Sequence, residues 1–337
     1  MNQRTVNTAA TGYKTHSTRS IMLRVLFALL PGVTFYAWFI SPLIVFNIAF
    51  AIVAALVLEA TAVRLRRGKL MATLGDGSIT LAAALLAISV PPTLPFWQLF
   101  IGILIMVMLG KHVYGGLGNN PFNPAMVGYA ALMVSFPQTM TLWASATELA
   151  QIPVAELLST KLNHSPLNAS RDIAWDAITQ ATPLEYLRTQ RLQNEVPVQT
   201  DLIQYTLNSQ WIWVNTGFLL GGLYLLWARI IRWHIPVGVL ATLAILQFVF
   251  ANNGLPTHFA LLSGAAIVGA FFIATDPVTT ASSNRGKLLF GIGVGALTFT
   301  IREYGGYPDG FAFAILLMNL SVPLIDHLEL TWAGRKA

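Results

Sequence analysis

IMLRVLFALLPGVTFYAWFISPLIVFNIAFAIVAALVLEATAV, residues 21–63, carries only two charged side chains, Arg24 and Glu59. A bilayer-spanning helix takes about 20 mostly apolar residues, so the stretch reads as two successive spans, 21–40 and 41–63. Outward from it the same pattern recurs at 79–95, 96–111, 124–137, 211–228, 235–252, 258–275, 287–301 and 310–326. Ten spans are expected, in an all-α polytopic membrane protein.

The whole chain agrees with that reading. Its 337 residues are 55% hydrophobic and 10% charged, with a mean hydropathy of +0.62. Soluble domains carry about 25% charged residues. Zero cysteines exclude a disulfide-stapled fold, Cys-ligated zinc and any iron–sulfur cluster held by the chain's own thiolates. Residues 1–20 are polar and lack the apolar core and cleavage site of a signal peptide.

The net charge of +6 could suggest nucleic acid, but the placement of the basic residues explains it better. Arg4, Lys14, Arg19 and Arg24 lie at the N-terminus, and Arg64, Arg66, Arg67 and Lys69 follow the second span. Lys111, Arg229, Arg232, Arg285, Lys287, Arg335 and Lys336 follow later even-numbered spans. With both termini cytoplasmic, all fifteen fall inside. Arg302 occupies a short external connection. Lys161, Arg171, Arg188 and Arg191 lie in the long external segment 138–210, which also holds seven of the fourteen acids. The basic bias is membrane orientation, and nucleic acid is not an expected partner.

The resulting plan is a tail (1–20), a five-helix half (21–137), the external segment (138–210), a second five-helix half (211–327) and a tail (328–337). Tyr114-Gly115-Gly116 and Tyr304-Gly305-Gly306 each link the fourth and fifth spans of a half, on opposite faces. That is the pattern of an inverted repeat, in which binding sites sit at the repeat interface. Three glycine- and proline-broken segments, 114–126, 275–286 and 302–310, must be buried or line a cavity, because lipid cannot satisfy their backbone.

Within 138–210, Asp176-Ala-Ile-Thr-Gln-Ala-Thr182-Pro183 reads as a hydroxyl-rich turn before a short helix, with Thr182 as its N-cap. No two of the six histidines sit at ligand spacing, so haem or di-metal chemistry is not expected. His112 and His234 read as interfacial. Acids at membrane depth are functional hypotheses by default, and Asp276 and Asp309, in broken segments, are the expected cation-path residues. Local caps or turns explain them equally well. Glu59 and Asp326 are expected to pair with basic residues at the cytoplasmic face. Trp38, Trp97, Trp211, Trp213, Trp227 and Trp233 fit interfacial belts.

Tyr114-Gly-Gly-Leu-Gly-Asn-Asn-Pro-Phe-Asn-Pro-Ala-Met126, Ala274-Thr-Asp-Pro-Val-Thr279 and Ser283-Asn-Arg-Gly286 resemble the D subunits of the Rnf electron-transport complex. So do Gly305-Gly-Tyr-Pro-Asp-Gly310 and residues 319–327. The complex is called Rsx in enteric bacteria, and the B subunit of the sodium-translocating NADH:quinone reductase is related. The resemblance covers about residues 17 to 327. It implies FMN joined through its phosphate to a threonine in a motif similar to Asp-x-x-Ser/Thr-Gly-Ala-Thr. Here that motif is matched by Asp176, Thr179, Ala181 and Thr182, with Gln180 where glycine is usual. Thr182 is thus the implied FMN acceptor. A second, non-covalent flavin such as riboflavin is implied within the membrane, with Asn119, Asn120 and Asn123 as its candidate lining.

The resemblance further implies a bacterial inner-membrane protein relaying electrons in an ion-translocating complex of the ferredoxin/NAD or SoxR-reducing type. The A, B, C, E and G subunits of that complex and a flavin transferase are implied as partners. No Gly-x-Gly-x-x-Gly opens a βαβ unit here, so nicotinamide chemistry belongs to partners. The alternative from another class is a secondary transporter or channel with inverted repeats and no redox cofactor. The orientation is tested by reporter fusions. A fusion after Gln204 is expected to read periplasmic and one after Gly68 cytoplasmic, and the reverse result contradicts the charge argument.

Overall fold

A computed structural model describes residues 17–143, 153–163, 182, 184–185, 189, 210–250, 257–307 and 309–334. Every regular element among them is helical. In chain order these are α1 (Thr18–Phe39), α2 (Leu43–Leu65), α3 (Leu70–Leu74), α4 (Ser78–Ser89) and α5 (Phe96–Val107), which continues as a π-helical turn, Met108–His112. Next come α6 (Pro124–Ser135), α7 (Pro137–Thr141) and α8 (Val154–Asn163). The later part holds α9 (Trp211–Trp227), α10 (His234–Phe250), α11 (Thr257–Leu262), α12 (Ala266–Val268) with a second π turn (Gly269–Ile273), α13 (Asn284–Tyr304) and α14 (Phe311–Gly334).

Among the described residues, three helices are long and apolar enough to cross a membrane: Thr18–Phe39, Leu43–Leu65 and Phe311–Thr331. Shorter apolar helices stand beside them at Ser78–Ser89, Phe96–His112, Pro124–Ser135, Trp211–Trp227 and His234–Phe250. Large apolar side chains cover the outside of the bundle: Val53 is 63% exposed, Leu320 66% and Phe248 82%. An outer surface of that kind needs lipid or a partner. The chain is a multi-pass membrane protein.

Two expected spans differ from their sequence reading. The 79–95 stretch stops at Ser89, because Val90 turns extended (ψ 156°) ahead of Pro91 and Pro92. Proline disfavours helical backbone in the residue before it and lacks the N–H that would continue the ladder. The 258–275 stretch breaks at Gly264, whose φ of +63° is the left-handed region open to glycine. It resumes as α12 and the π turn. The two Tyr-Gly-Gly motifs also diverge. Gly115 and Gly116 have φ of +111° and +108°, whereas Gly305 caps α13 at φ −86°. They occupy matching places in the chain order without sharing a turn.

Helix contacts fix the arrangement. Along α1 and α9, Phe39 stacks on Trp213 (5.8 Å between ring centroids), Tyr36 meets Trp211 (5.6 Å) and Phe27 meets Tyr224 (5.8 Å). Phe27 pairs with the far end of α9 and Tyr36 and Phe39 with its start, so the two helices run antiparallel. Their backbones touch through small residues: a Cβ on Gly217 would lie 2.8 Å from the Cα of Gly32, and one on Gly221 would overlap the Ala28 carbonyl. Without a hydrophobic drive between helices in lipid, such close approach is what dispersion and packing require. On α6 and α14, Asn123 contacts Asn319, while Tyr129 and Met133 share a cavity wall with Phe311 and Ala312. That pair is antiparallel as well. Gly238 and Gly291 bring α10 against α13 in the same manner.

Inserting a side chain at α1–α9 is therefore costly. Gly221→Val should destabilise the purified protein by about 1–3 kcal/mol, the usual cost of overpacking. Gly306→Ala, with nothing within 4 Å of the new Cβ, should leave the detergent melting temperature unchanged.

Candidate functional site

Two cavities lie at opposite ends of the bundle, and the broken segments build both. The first, of about 120 Å³, is roughly ten times the room a single buried water needs. It gathers Tyr36 (α1), Ser89 (α4), Tyr129 and Met133 (α6), Trp143, Trp211 and Asn215 (α9), Gly264 and Asp309, together with Thr182 and Leu184. The end of α4 and residues from the connections after α7, α11 and α13 thus meet at one end. The second, of about 140 Å³, is lined by Ser78, Lys111, Leu117, Asn120, Asn123, Ile230, Phe272 and Asp276, from the start of α4 and from the segments after α5, α9 and α12.

Thr182 stands half-buried on the wall of the first cavity, and its hydroxyl accepts the Glu185 N–H at 3.3 Å. That is the N-cap read from Thr-Pro. An oxygen engaged as acceptor keeps its own hydrogen and a second lone pair, so the cap leaves the hydroxyl chemically available. Asp176, Thr179 and Ala181 lie outside the described residues. Beside Thr182 the wall is aromatic: Trp211 packs edge-on against both Tyr36 (5.6 Å) and Trp143 (5.4 Å). Tyr36 is 1% exposed, and its hydroxyl has no hydrogen-bond partner among the described residues. A buried hydroxyl left unsatisfied costs about 1–3 kcal/mol, so it marks a place where a ligand or water belongs.

Asp309 shapes the floor. Its Oδ2 accepts the Ala265 N–H at 2.6 Å, and its Oδ1 accepts the Phe311 N–H at 3.1 Å and Arg302 Nη2 at 3.2 Å. Arg302 Nη2 also donates to the Ser263 carbonyl at 3.3 Å. The carboxylate thereby clamps the Gly264 turn onto the start of α14. Leu184 leans on this turn, 2.6 Å from where a Gly264 Cβ would sit.

In the second cavity Asn120 and Asn123 are buried, whereas Asn119 is exposed and outside the lining. Asn120 Oδ1 has no hydrogen-bond partner among the described residues. Asp276 lines the same space. It accepts the Val278 N–H at 3.2 Å and the Thr279 hydroxyl at 3.1 Å, the geometry of a local cap. The two acids singled out by sequence therefore face different cavities.

Several features depart from expectation, and two agree. Glu59 pairs with Lys111 at 2.5 Å, as read from charge. Asp326 acts electrostatically on Lys287, also as read from charge, and accepts the Ser282 N–H and hydroxyl at 3.1 and 2.9 Å. The His112 side chain is only 8% exposed rather than interfacial, because the π turn swings it inward beside Glu59. Trp211 lines a cavity instead of facing lipid. Lys161, counted as external charge, is buried: α8 inserts it so that the ammonium donates to Asn47 Oδ1 and to the Pro92 carbonyl (2.8 Å), over the Phe96 ring (4.4 Å). Burial pushes its pKa down to about 7. No group of three or more metal-ligating side chains occurs among the described residues.

A family model described as NQR2, RnfD, RnfE matches residues 5–331. The D subunit of the ion-translocating oxidoreductase complex of Sodalis glossinidius is 44% identical over 321 residues, covering 92% of this chain and 93% of that protein. The proteins of the same name from Citrobacter koseri and Erwinia tasmaniensis are 44% and 45% identical, each covering 93% of this chain and 94% of the relative.

The clamp on the Gly264 turn predicts a specific loss. Asp309→Asn removes the charge facing Arg302, which is 8% exposed, and should destabilise the chain by about 3 kcal/mol. Unfolding followed by intrinsic tryptophan fluorescence in detergent measures it, and an unchanged midpoint would count against the clamp.

Proposed function

The chain belongs to the NQR2, RnfD, RnfE family, and on that premise we propose that it is a membrane subunit of an ion-translocating oxidoreductase complex. In this reading it relays electrons through FMN bound covalently to Thr182. The observation that carries the reading is the meeting of Thr182 with the first cavity: the acceptor hydroxyl stands on the wall of an aromatic-lined space that contains an unsatisfied tyrosine hydroxyl. Such a site suits a planar ring with a polar edge, since stacking on tryptophan and tyrosine is favourable and Tyr36 Oη gains a partner. When bound, the flavin supplies the one- or two-electron chemistry that no side chain of this protein offers.

The protein's own residues do the rest. Thr182 tethers, and its cap bond to Glu185 fixes where the tether starts. Trp143, Trp211 and Tyr36 would hold the flavin and exclude water. Asp309 and Arg302 keep the Gly264 turn, and with it Leu184, against the mouth. Asp176, Thr179 and Ala181 complete the acceptor motif read by a flavin transferase. The second cavity is the seat of a non-covalent flavin such as riboflavin, supported by the orphan Oδ1 of Asn120 and by Asn123. Of the two acids, we assign the cation path to Asp276, which lines the second cavity, because Asp309 is held by Arg302.

The architecture we propose is ten spans in two inverted five-helix halves, 21–137 and 211–327, with both termini on the cytoplasmic side of a bacterial inner membrane. The antiparallel pairing of α1 with α9 and of α6 with α14, each the same-numbered span of its half, supports it. So does the sorting of alternate connections to the two cavities. The first cavity then faces the periplasm. The A, B, C, E and G subunits of an Rnf-type complex are the proposed partners. The transporter alternative loses support, since the relatives are named as oxidoreductase subunits.

Denaturing-gel flavin fluorescence decides the cofactor. In cells that express the flavin transferase, the wild-type band should fluoresce and Thr182→Val should be dark at equal protein. A dark wild-type band refutes covalent FMN.

A further inference from the structure

A shallow groove of about 340 Å³ runs along the outside of the bundle where α1 starts, and it shares no lining residue with either cavity. Arg19, Leu23 and Phe27 recur every four residues along α1 and so share one face, with Ser20 and Arg24 in the adjoining row. Tyr224 of α9 closes the other side, its ring centroid 5.8 Å from that of Phe27. Arg19, Leu23 and Phe27 are exposed, and Arg24 is half-buried. Beyond Phe27 the same two helices present Leu30, Leu220 and Leu223, all exposed. From Arg19 to Leu30 α1 rises about 16 Å, close to the ~15 Å of hydrocarbon in one leaflet.

Membrane orientation accounts for arginines at this end of a span, but not for two of them converging on one groove with an apolar floor. The first turn of α1 contains Arg19 and no acid, although the positive end of a helix favours a negative partner. The sixteen residues ahead of Ser17 carry Arg4 and Lys14 and no acid either, so the chain's own leading segment adds positive charge instead of offsetting it. A complementary occupant is negative beside the arginines and apolar along Leu23, Phe27 and Leu30. We propose that the groove binds an anionic phospholipid, with its phosphate between Arg19 and Arg24 and an acyl chain along Leu23, Phe27 and Tyr224. Guanidinium groups suit phosphate because two parallel N–H donors meet two of its oxygens. A headgroup with its own ammonium, such as ethanolamine, brings its countercharge with it and gains less from the arginines. Held there, the lipid neutralises the start of α1 and covers the outer edge of its seam with α9. The site requires neither a flavin nor a particular orientation of α1.

The test places the whole complex in phosphatidylethanolamine vesicles containing a trace of a photoactivatable lipid with a diazirine on one acyl chain. The probe is built either on phosphatidylglycerol or on phosphatidylethanolamine, at equal dose, and mass spectrometry reads the label on the peptide containing Leu23 and Phe27. The phosphatidylglycerol probe should label this peptide about ten-fold more than its ethanolamine counterpart, the factor expected from charge-assisted hydrogen bonds to one phosphate. Arg19→Gln combined with Arg24→Gln should bring the two probes level. Arg19→Gln alone, at an exposed position that leaves the packing intact, should lower the preference by a smaller factor. Excess inorganic phosphate should not displace the probe, because it has no chain to lay along the groove. Equal labelling of the wild type by both probes, a preference indifferent to both arginine variants, or displacement by inorganic phosphate overturns the proposal. So does an α1 peptide that neither probe labels in the assembled complex, since a partner subunit would then cover the face.

Discussion

Asn123 and Asn319 meet where α6 crosses α14. The Asn123 N–H donates to Asn319 Oδ1 at 3.0 Å, its side-chain amide donates to the Ile273 carbonyl at 3.4 Å, and its Oδ1 caps α6 by accepting the Met126 N–H at 3.3 Å. Asn319 in turn donates to the Thr279 carbonyl at 2.9 Å. Both residues are almost fully buried. A helix start, the end of a π turn and an irregular connection therefore find their partners in one another. In a bilayer those groups have no other recourse, since unsatisfied backbone facing lipid costs several kcal/mol per group. The broken segments consequently lie inside the bundle, and their interruptions become cavity walls.

The two cavities follow from that crossing. Met126 and Ile273 belong to the first, whereas Asn123, Pro124 and Phe272 belong to the second. The wall between the cavities is thus one or two residues thick along each chain segment. On α4, Leu85 lines one cavity and Ile88 the other, about one helical turn apart. An arrangement in which two sites approach from opposite ends without merging suits a protein that passes electrons while keeping ions separated. The aromatic lining at one end and the Lys111–Glu59 pair at the other give the two sites different electrostatic characters.

Much of this is legible in sequence because hydrophobic length and basic-residue placement are strong signals. The run 21–63 forms α1 and α2, and the charge asymmetry sorts the connections as the cavity linings do. Thr182-Pro183 announces its cap, because a hydroxyl before proline has few other local uses. What fails to show depends on residues distant in the chain. Trp211 looks like an interfacial tryptophan until Tyr36 and Trp143 are seen around it. Lys161 looks like solvent-exposed charge until α8 delivers it to Asn47. The π turns leave no periodic signature, yet one of them turns His112 inward. Pro91 and Pro92 shorten α4 where hydropathy alone extends it.

The central claim is that the two cavities open to opposite sides of the membrane. The chain has no cysteine, so single cysteines report without background. Ser89→Cys places a thiol on the first cavity and Leu117→Cys on the second. A membrane-impermeant thiol reagent applied to right-side-out and inside-out vesicles reads their access. The account predicts that Ser89→Cys is modified only from the periplasmic side and Leu117→Cys only from the cytoplasmic side. Modification of both from one side, or of either from both, would contradict it.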